Sequence, residues 1–257
     1  MKRALTAAII VAFMPSPTYA QARGGEPVEI PLRMHAGRLV VPVEAPDGER
    51  MEFLLSTGNA VTVFSQSVAA RFGNAPSLEL GGVPIPTDGS RTIPDASLTF
   101  DGKAFGGIVG PTALNEFDVL IDVPGQRLVL KPFGTAVAWE GVTLSDPIRL
   151  RVYHGVVLAL DVEFNGRPYG AMLDIGTPTL VVNDRVQRET QINQADTGTL
   201  GIGGTTHANV PVRVLDLDVF HRFVPNGDGF VLVGAAIARE CAISISWIHR
   251  ELRTCVR

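Results

Sequence analysis

Residues 31–63 read PLRMHAGRLVVPVEAPDGERMEFLLSTGNAVTV, and residues 147–182 read PIRLRVYHGVVLALDVEFNGRPYGAMLDIGTPTLVV. The landmarks of the two passages keep one spacing: Gly37 with Gly155, Gly48 with Gly166, Ser56 with Asp174 and Gly58 with Gly176 are each 118 residues apart (174 − 56). Two residues are inserted before the first of these pairs, since Pro31 and Pro147 lie 116 apart. Each passage predicts a hairpin that turns at Asp47-Gly48 or Asn165-Gly166, followed by an apolar strand running into a Gly-containing turn.

Working outward, Gly107-Ile108-Val109-Gly110-Pro111 answers to Val231-Leu232-Val233-Gly234-Ala235. Short segments of helical potential follow, Thr112 to Phe117 and Ala236 to Cys241, and then closing hairpins, DVLIDVPGQRLVL from Asp118 and AISISWIHRELRT from Ala242. Short alternating segments dominate, and 27 Gly and 18 Pro interrupt almost every helical period, so the chain reads as mostly β. Two copies of one β-unit are expected, an N-terminal half over 23–138 and a C-terminal half over 139–257, joined near Phe133 to Ser145.

Met1 to Ala22 reads as a signal peptide, with Lys2 and Arg3 as its basic region, Ala4 to Met14 as its apolar region, and cleavage after Ala20 or Ala22. The apolar region is well short of the roughly 20 residues that span a bilayer. The expectation is therefore a periplasmic or secreted protein with no membrane segment after signal removal. Loss of Lys2 and Arg3 takes the formal charge from −4 to −6, which argues against a nucleic-acid partner. Cys241 and Cys255, the two cysteines of the chain, are too few for a metal cluster and in an exported protein are expected to pair across the last hairpin. The alternative is two free buried thiols.

Taken together, this pattern resembles the aspartic-peptidase clan that includes pepsins and retropepsins. That clan carries two apolar residues, then Asp-Thr/Ser-Gly-Thr/Ser/Ala, and later in the same lobe two apolar residues followed by Gly. Met172-Leu173-Asp174-Ile175-Gly176-Thr177 fits with one change, Ile for Thr or Ser, and Leu232-Val233-Gly234 supplies the later element. Leu54-Leu55-Ser56-Thr57-Gly58-Asn59 keeps the frame but places Ser where the aspartate belongs, with Ile108-Val109-Gly110 following. The resemblance implies a bilobal aspartic-protease fold, two homologous β-barrel-like lobes about a pseudo-twofold axis. It also implies a cleft in which an extended peptide lies as an added strand, without cofactor or metal.

By that resemblance Ser56 and Asp174 occupy the catalytic positions, and Thr57, Gly58, Ile175, Gly176 and Thr177 surround the bound peptide, with Thr57 bracing the pair from behind. Ile175 lacks the hydroxyl to do the same. Two aspartates hydrolyse an amide because neighbouring carboxyls share one proton, so that one activates water while the other donates to the carbonyl oxygen. A serine hydroxyl holds no charge near neutral pH and cannot split that titration. Two readings stay open: an endopeptidase working with an atypical Ser56/Asp174 pair, and an inactive relative that binds a peptide or protein partner in the same cleft. A monomer is expected; a homodimer that brings two Asp174 carboxyls together is the alternative.

Other chemistry has weaker support. Ser56 lies in neither a Gly-x-Ser-x-Gly elbow nor a Ser-x-x-Lys motif. His35, His154, His207, His221 and His249 lack metal-ligand spacing. Gly198 to Gly204 (GTLGIGG) reads as a flexible hairpin rather than a phosphate cradle, and Ser77 to Thr99 is where the resemblance places a flap. Should the first strand be slipped in register, Glu52 and Asp47 are the nearby carboxylates.

Overall fold

Alternating apolar residues build sheets throughout the molecule. The structure, a computed structural model, describes residues 26–133 and 139–255. The signal-peptide reading of Met1 to Ala22 and residues 134–138 of the expected junction lie outside them. Strand makes up 45% of the described residues and helix 14%, in agreement with the mostly-β reading.

Each half is built on the same arrangement. In the first, Arg38–Glu44 pairs antiparallel with Arg50–Leu55, which pairs in parallel with Gly107–Val109; that strand in turn runs antiparallel to Val63–Ser65. In the second, Val157–Phe164, Arg167–Leu173, Phe230–Val233 and Leu180–Val182 repeat these pairings. A helix leaves each half after the last of these strands. Ser65 caps Gln66–Phe72 by accepting from the Val68 N–H at 3.1 Å, and Asn183 caps Asp184–Thr190 by accepting from the Val186 N–H at 3.2 Å. Short polar side chains are the residues that satisfy the free N–H groups of a first helical turn.

The constant spacing conceals two compensating shifts. The first hairpin tip has two residues, Ala36-Gly37, between the pair His35 and Arg38, whereas the second has His154-Gly155-Val156 between Tyr153 and Val157. At the next turn the difference reverses. Pro46-Asp47-Gly48 forms a three-residue loop closed by Gly48 N–H to Ala45 O (2.9 Å) and Ala45 N–H to Glu49 O (2.8 Å). Asn165-Gly166 is a two-residue turn with φ of 48° and 76°. One residue gained and one lost return the halves to register at Ser56 and Asp174. A single uncompensated shift would have turned each strand's apolar face outward.

The second half closes into a ring of six strands, because Thr197–Ile202 pairs with Thr205–Val214 on one side and returns to Val157–Phe164 on the other. Gly198 makes closure possible: a Cβ there would stand 2.4 Å from the Phe164 ring. The segment read as a flexible hairpin is thus a hairpin bonded into a barrel wall. The first half remains an open half-barrel, its Glu79–Leu80 strand touching Arg38–Glu44 only at Glu44. The tip of the hairpin made by Glu79–Leu80 and Val83–Pro84 packs on Val28 and Ile30, so this part of the expected flap segment lies against the sheet shared by the halves. Later in that segment the turn at Gly89 lies beside Val61, and Leu98 packs in one cluster with Leu54.

The halves are joined by a six-stranded sheet in the order Val28–Pro31, Arg127–Pro132, Phe117–Asp122, Ile243–Ser246, Glu251–Thr254, Ile148–Arg149. Its centre pairs the halves antiparallel, from Asp118 opposite Ser246 to Ile121 opposite Ile243. One apolar core runs through both halves, with Phe53, Phe64 and Phe164 fully buried. Each such side chain contributes about 1.5–3 kcal/mol by leaving water. Cys241 and Cys255 form the expected disulfide, Cα atoms 5.4 Å apart, across the base of the last hairpin.

Candidate functional site

Two strands with buried C-terminal ends, Arg50–Leu55 and Arg167–Leu173, finish at the seam between the halves, and Ser56 and Asp174 follow directly. Each is anchored by the neighbouring parallel strand: Ser56 N–H donates to Val109 O at 3.1 Å and Asp174 N–H to Val233 O at 2.9 Å. The glycine after that strand allows the returning turn to approach. A Cβ on Gly110 would stand 2.4 Å from Val61 O, and one on Gly234 would stand 2.2 Å from Thr179 O. These are backbone atoms with no freedom to yield, which is the physical reason for apolar-apolar-Gly in both halves.

The two turns then interlock. A Cβ on Gly58 would stand 2.3 Å from Asp174 Cγ, and one on Gly176 would stand 2.6 Å from Ser56 Cβ. The Ser56 hydroxyl donates to Asp174 Oδ1 at 2.8 Å. That oxygen also accepts from Gly58 N–H at 3.1 Å and Gly176 N–H at 2.9 Å, while Thr177 Oγ1 donates to Oδ2 at 3.0 Å. Four donors therefore converge on one carboxylate, a set that an acceptor-only group satisfies. Asp174 remains partly exposed.

Ser56 is held differently. It is 1% exposed, and its oxygen accepts from Gly58 N–H (3.1 Å), Asn59 N–H (3.3 Å) and Asn59 Nδ2 (3.2 Å). With its lone pairs taken up by donors and its proton on Asp174, the hydroxyl is poorly disposed to attack a substrate carbonyl. Behind the pair, Thr57 donates to Leu173 O at 2.8 Å and accepts from Ile175 N–H at 3.2 Å, all within buried surroundings. Ile175, its counterpart, is fully buried and apolar and sends nothing back.

The structure thus brings Ser56, Thr57, Gly58, Asp174, Ile175, Gly176 and Thr177 into one site. Asn59 joins them without having been anticipated; its position opposite Thr177 in the 118-residue repeat was the available signal. Glu52 and Asp47 do not take part. Glu52 is paired with Arg33 and Lys103, and Asp47 sits at the far turn, where the Glu49 backbone N–H and then Arg71 hold its carboxyl below the usual range. Among the described residues no group of three or more His, Cys, Asp or Glu is placed to hold a metal ion. No helix among them is long and apolar enough to cross a membrane.

No protein-family model matches the chain, and no curated protein matches it in sequence. The functional reading therefore stands on the repeat and on the geometry of the seam.

Proposed function

We propose that this chain is an exported protein of the bilobal aspartic-peptidase fold that binds an extended peptide over Ser56 and Asp174 and has lost the hydrolytic chemistry of that fold. Support comes from the repeated topology, from the interlocking of two equivalent Gly-containing turns, and from the six-stranded sheet shared by the halves. The disulfide suits an oxidising compartment such as the periplasm or the extracellular medium.

One observation supports the inactive reading: at 2.8 Å from Asp174 Oδ1 stands a hydroxyl, not a second carboxyl. Amide hydrolysis by the paired mechanism needs two carboxyls that exchange one proton between them. Here Asp174 has no partner able to take its proton and return it, and general acid–base assistance of roughly 10²–10⁴-fold is forfeited. A two-chain assembly that joins two Asp174 carboxyls is disfavoured because it would have to break the contacts of Asp174 with Ser56 and Gly58.

A second reading, a slow peptidase using Asp174 alone, draws on the partial exposure of that carboxylate and on its Oδ2 having, among the described residues, only the Thr177 hydroxyl as partner. Cleavage of a diverse peptide library from acid to neutral pH tests both. Cleavage by Ser56→Asp alone supports the binding protein. Cleavage by the unmodified chain that disappears in Asp174→Ala establishes the slow peptidase instead.

A further inference from the structure

The sheet that joins the halves turns Val119, Ile121, Ile243, Ile245 and Leu252 into the main core. Side chains alternate along a strand, so Asp118, Ser244, Ser246, Glu251 and Arg253 belong to its other face. The register sets Lys131, Asp118, Ser246 and Glu251 in one row across four strands and across the junction of the halves. The neighbouring row begins with the apolar pair Val129 and Leu120, which pack with Trp139. A polar row at this depth is unusual: Asp118, from the first half, is 2% exposed, and Ser244 and Ser246, from the second, are 4% and 8% exposed.

These side chains line a small cavity of about 10 Å³ together with His249, Glu251 and Arg253. Among the described residues no donor reaches Asp118 Oδ1, although the atom is buried. Lys131, opposite Asp118 in the row, lays its nitrogen 4.4 Å from the centre of the Trp139 ring. The serines have the converse need. Ser244 Oγ accepts from the Trp139 indole N–H at 3.1 Å and Ser246 Oγ from the His249 N–H at 3.2 Å, while among the described residues no acceptor takes the proton of either hydroxyl. Arg253 directs its terminal nitrogens to Ser145 O and to Glu251.

A buried acceptor without a donor and buried hydroxyls without an acceptor are each costly, and one small group that both donates and accepts satisfies them together. A metal ion takes up no hydroxyl proton and would stand beside Arg253; an anion has no proton to give Asp118 and would face Glu251 as well. The cavity has the volume that one water needs, roughly 10–15 Å³, and more polar partners than the two to four it uses. We propose that a single water is bound here as a fixed part of the structure, donating to Asp118 Oδ1 of the first half and accepting from the Ser246 hydroxyl of the second. The bridge adds a side-chain tie to the backbone pairing of the shared sheet, and it forms whatever the cleft binds.

A crystal structure of the unmodified protein at high resolution, repeated after a rubidium chloride soak, tests the site. One density peak within about 3 Å of both Asp118 Oδ1 and Ser246 Oγ is expected, with no anomalous signal from rubidium. A cavity without density, a peak that rubidium occupies, or a direct bond from Ser246 to Asp118 Oδ1 overturns the proposal. In solution, urea denaturation of Asp118→Ala, Ser246→Ala and the double variant reads the bridge as coupling. The effect of Ser246→Ala on the unfolding constant should shrink about fivefold once Asp118 is gone; independent effects overturn the bridge. The crystal result stands without any variant, so failure of Asp118→Ala to fold leaves the test intact.

Discussion

Thr57 reaches across the seam to donate to the carbonyl of Leu173 at 2.8 Å, and Ile175, at the equivalent position of the other half, returns no such bond. The two halves are thus latched from one side only. Thr57→Val removes a buried donor and leaves Leu173 O and Ile175 N–H without a partner, at a cost of about 2–4 kcal/mol. Thr57→Ser should recover most of it. Urea denaturation of both variants decides the matter, and equal stability of the two would sink the latch.

At Ser56 the outcome depends on what replaces the hydroxyl. Ser56→Ala takes the acceptor from the Asn59 donors and a hydrogen bond from Asp174, while Gly58 N–H keeps Asp174 Oδ1, so a loss of about 1–3 kcal/mol is expected. Ser56→Asp instead sets two carboxyls side by side. Stability of that variant should fall as pH rises, because the pair resists double ionisation. Thermal melts across pH, compared with the unmodified protein, give the sign directly.

Gly234 tests the close approach that positions Asp174. Gly234→Ala drives a methyl group to 2.2 Å from Thr179 O and 2.3 Å from Thr177 O, for an expected loss above about 3 kcal/mol. Gly204→Ala serves as a comparison. It has open space around it and a φ of +83°, so only backbone strain of about 1 kcal/mol applies. Similar melting temperatures for the two variants would contradict the steric account.

Tyr169 supplies a pH-dependent signal. Burial, then its hydrogen bond to Glu189 at 3.0 Å, pushes the phenol up to about 12. The unfolded chain ionises its tyrosines near 10, so the folded state holds this proton more tightly. The stabilisation is full below about pH 10 and is lost as pH rises through about 12. Ultraviolet titration should show one late tyrosine that vanishes in Tyr169→Phe; a titration in which every tyrosine ionises together near 10 contradicts it.

Reduction of Cys241–Cys255 should lower stability by about 3 kcal/mol, in line with closure of a loop of this size. Guanidinium denaturation with and without reductant measures the difference, and the double alanine variant, insensitive to reductant, provides the control.

Much of this arrangement was legible because it depends on local rules. Asp47-Gly48 and Asn165-Gly166 mark turns wherever they occur between apolar strands, and the spacing of Ser56 and Asp174 followed from comparing the halves. The compensating shifts at Ala36-Gly37 and His154-Gly155-Val156 were not legible, since the glycines stay aligned while the strand faces slide by one residue and back. Closure of the second barrel was equally hidden. It depends on Gly198 meeting Phe164, a contact between residues far apart in the chain, and the glycine-rich composition alone reads as flexibility. Asn59 stood in the first-half motif, but its two bonds to the Ser56 oxygen depend on the local shape of the turn, which the sequence does not spell out.

The shared sheet has a consequence for the halves taken singly. Its middle is the contact of Phe117–Asp122 with Ile243–Ser246, and either half without the other would expose that strand as an unpaired edge. The readiest replacement is a second copy of the same half, since antiparallel pairing of identical strands satisfies a twofold axis. A severed half would thus be a self-pairing or aggregating species, and the covalent linkage between the halves acts as a chaperone of sorts, keeping the unlike edge close enough to win.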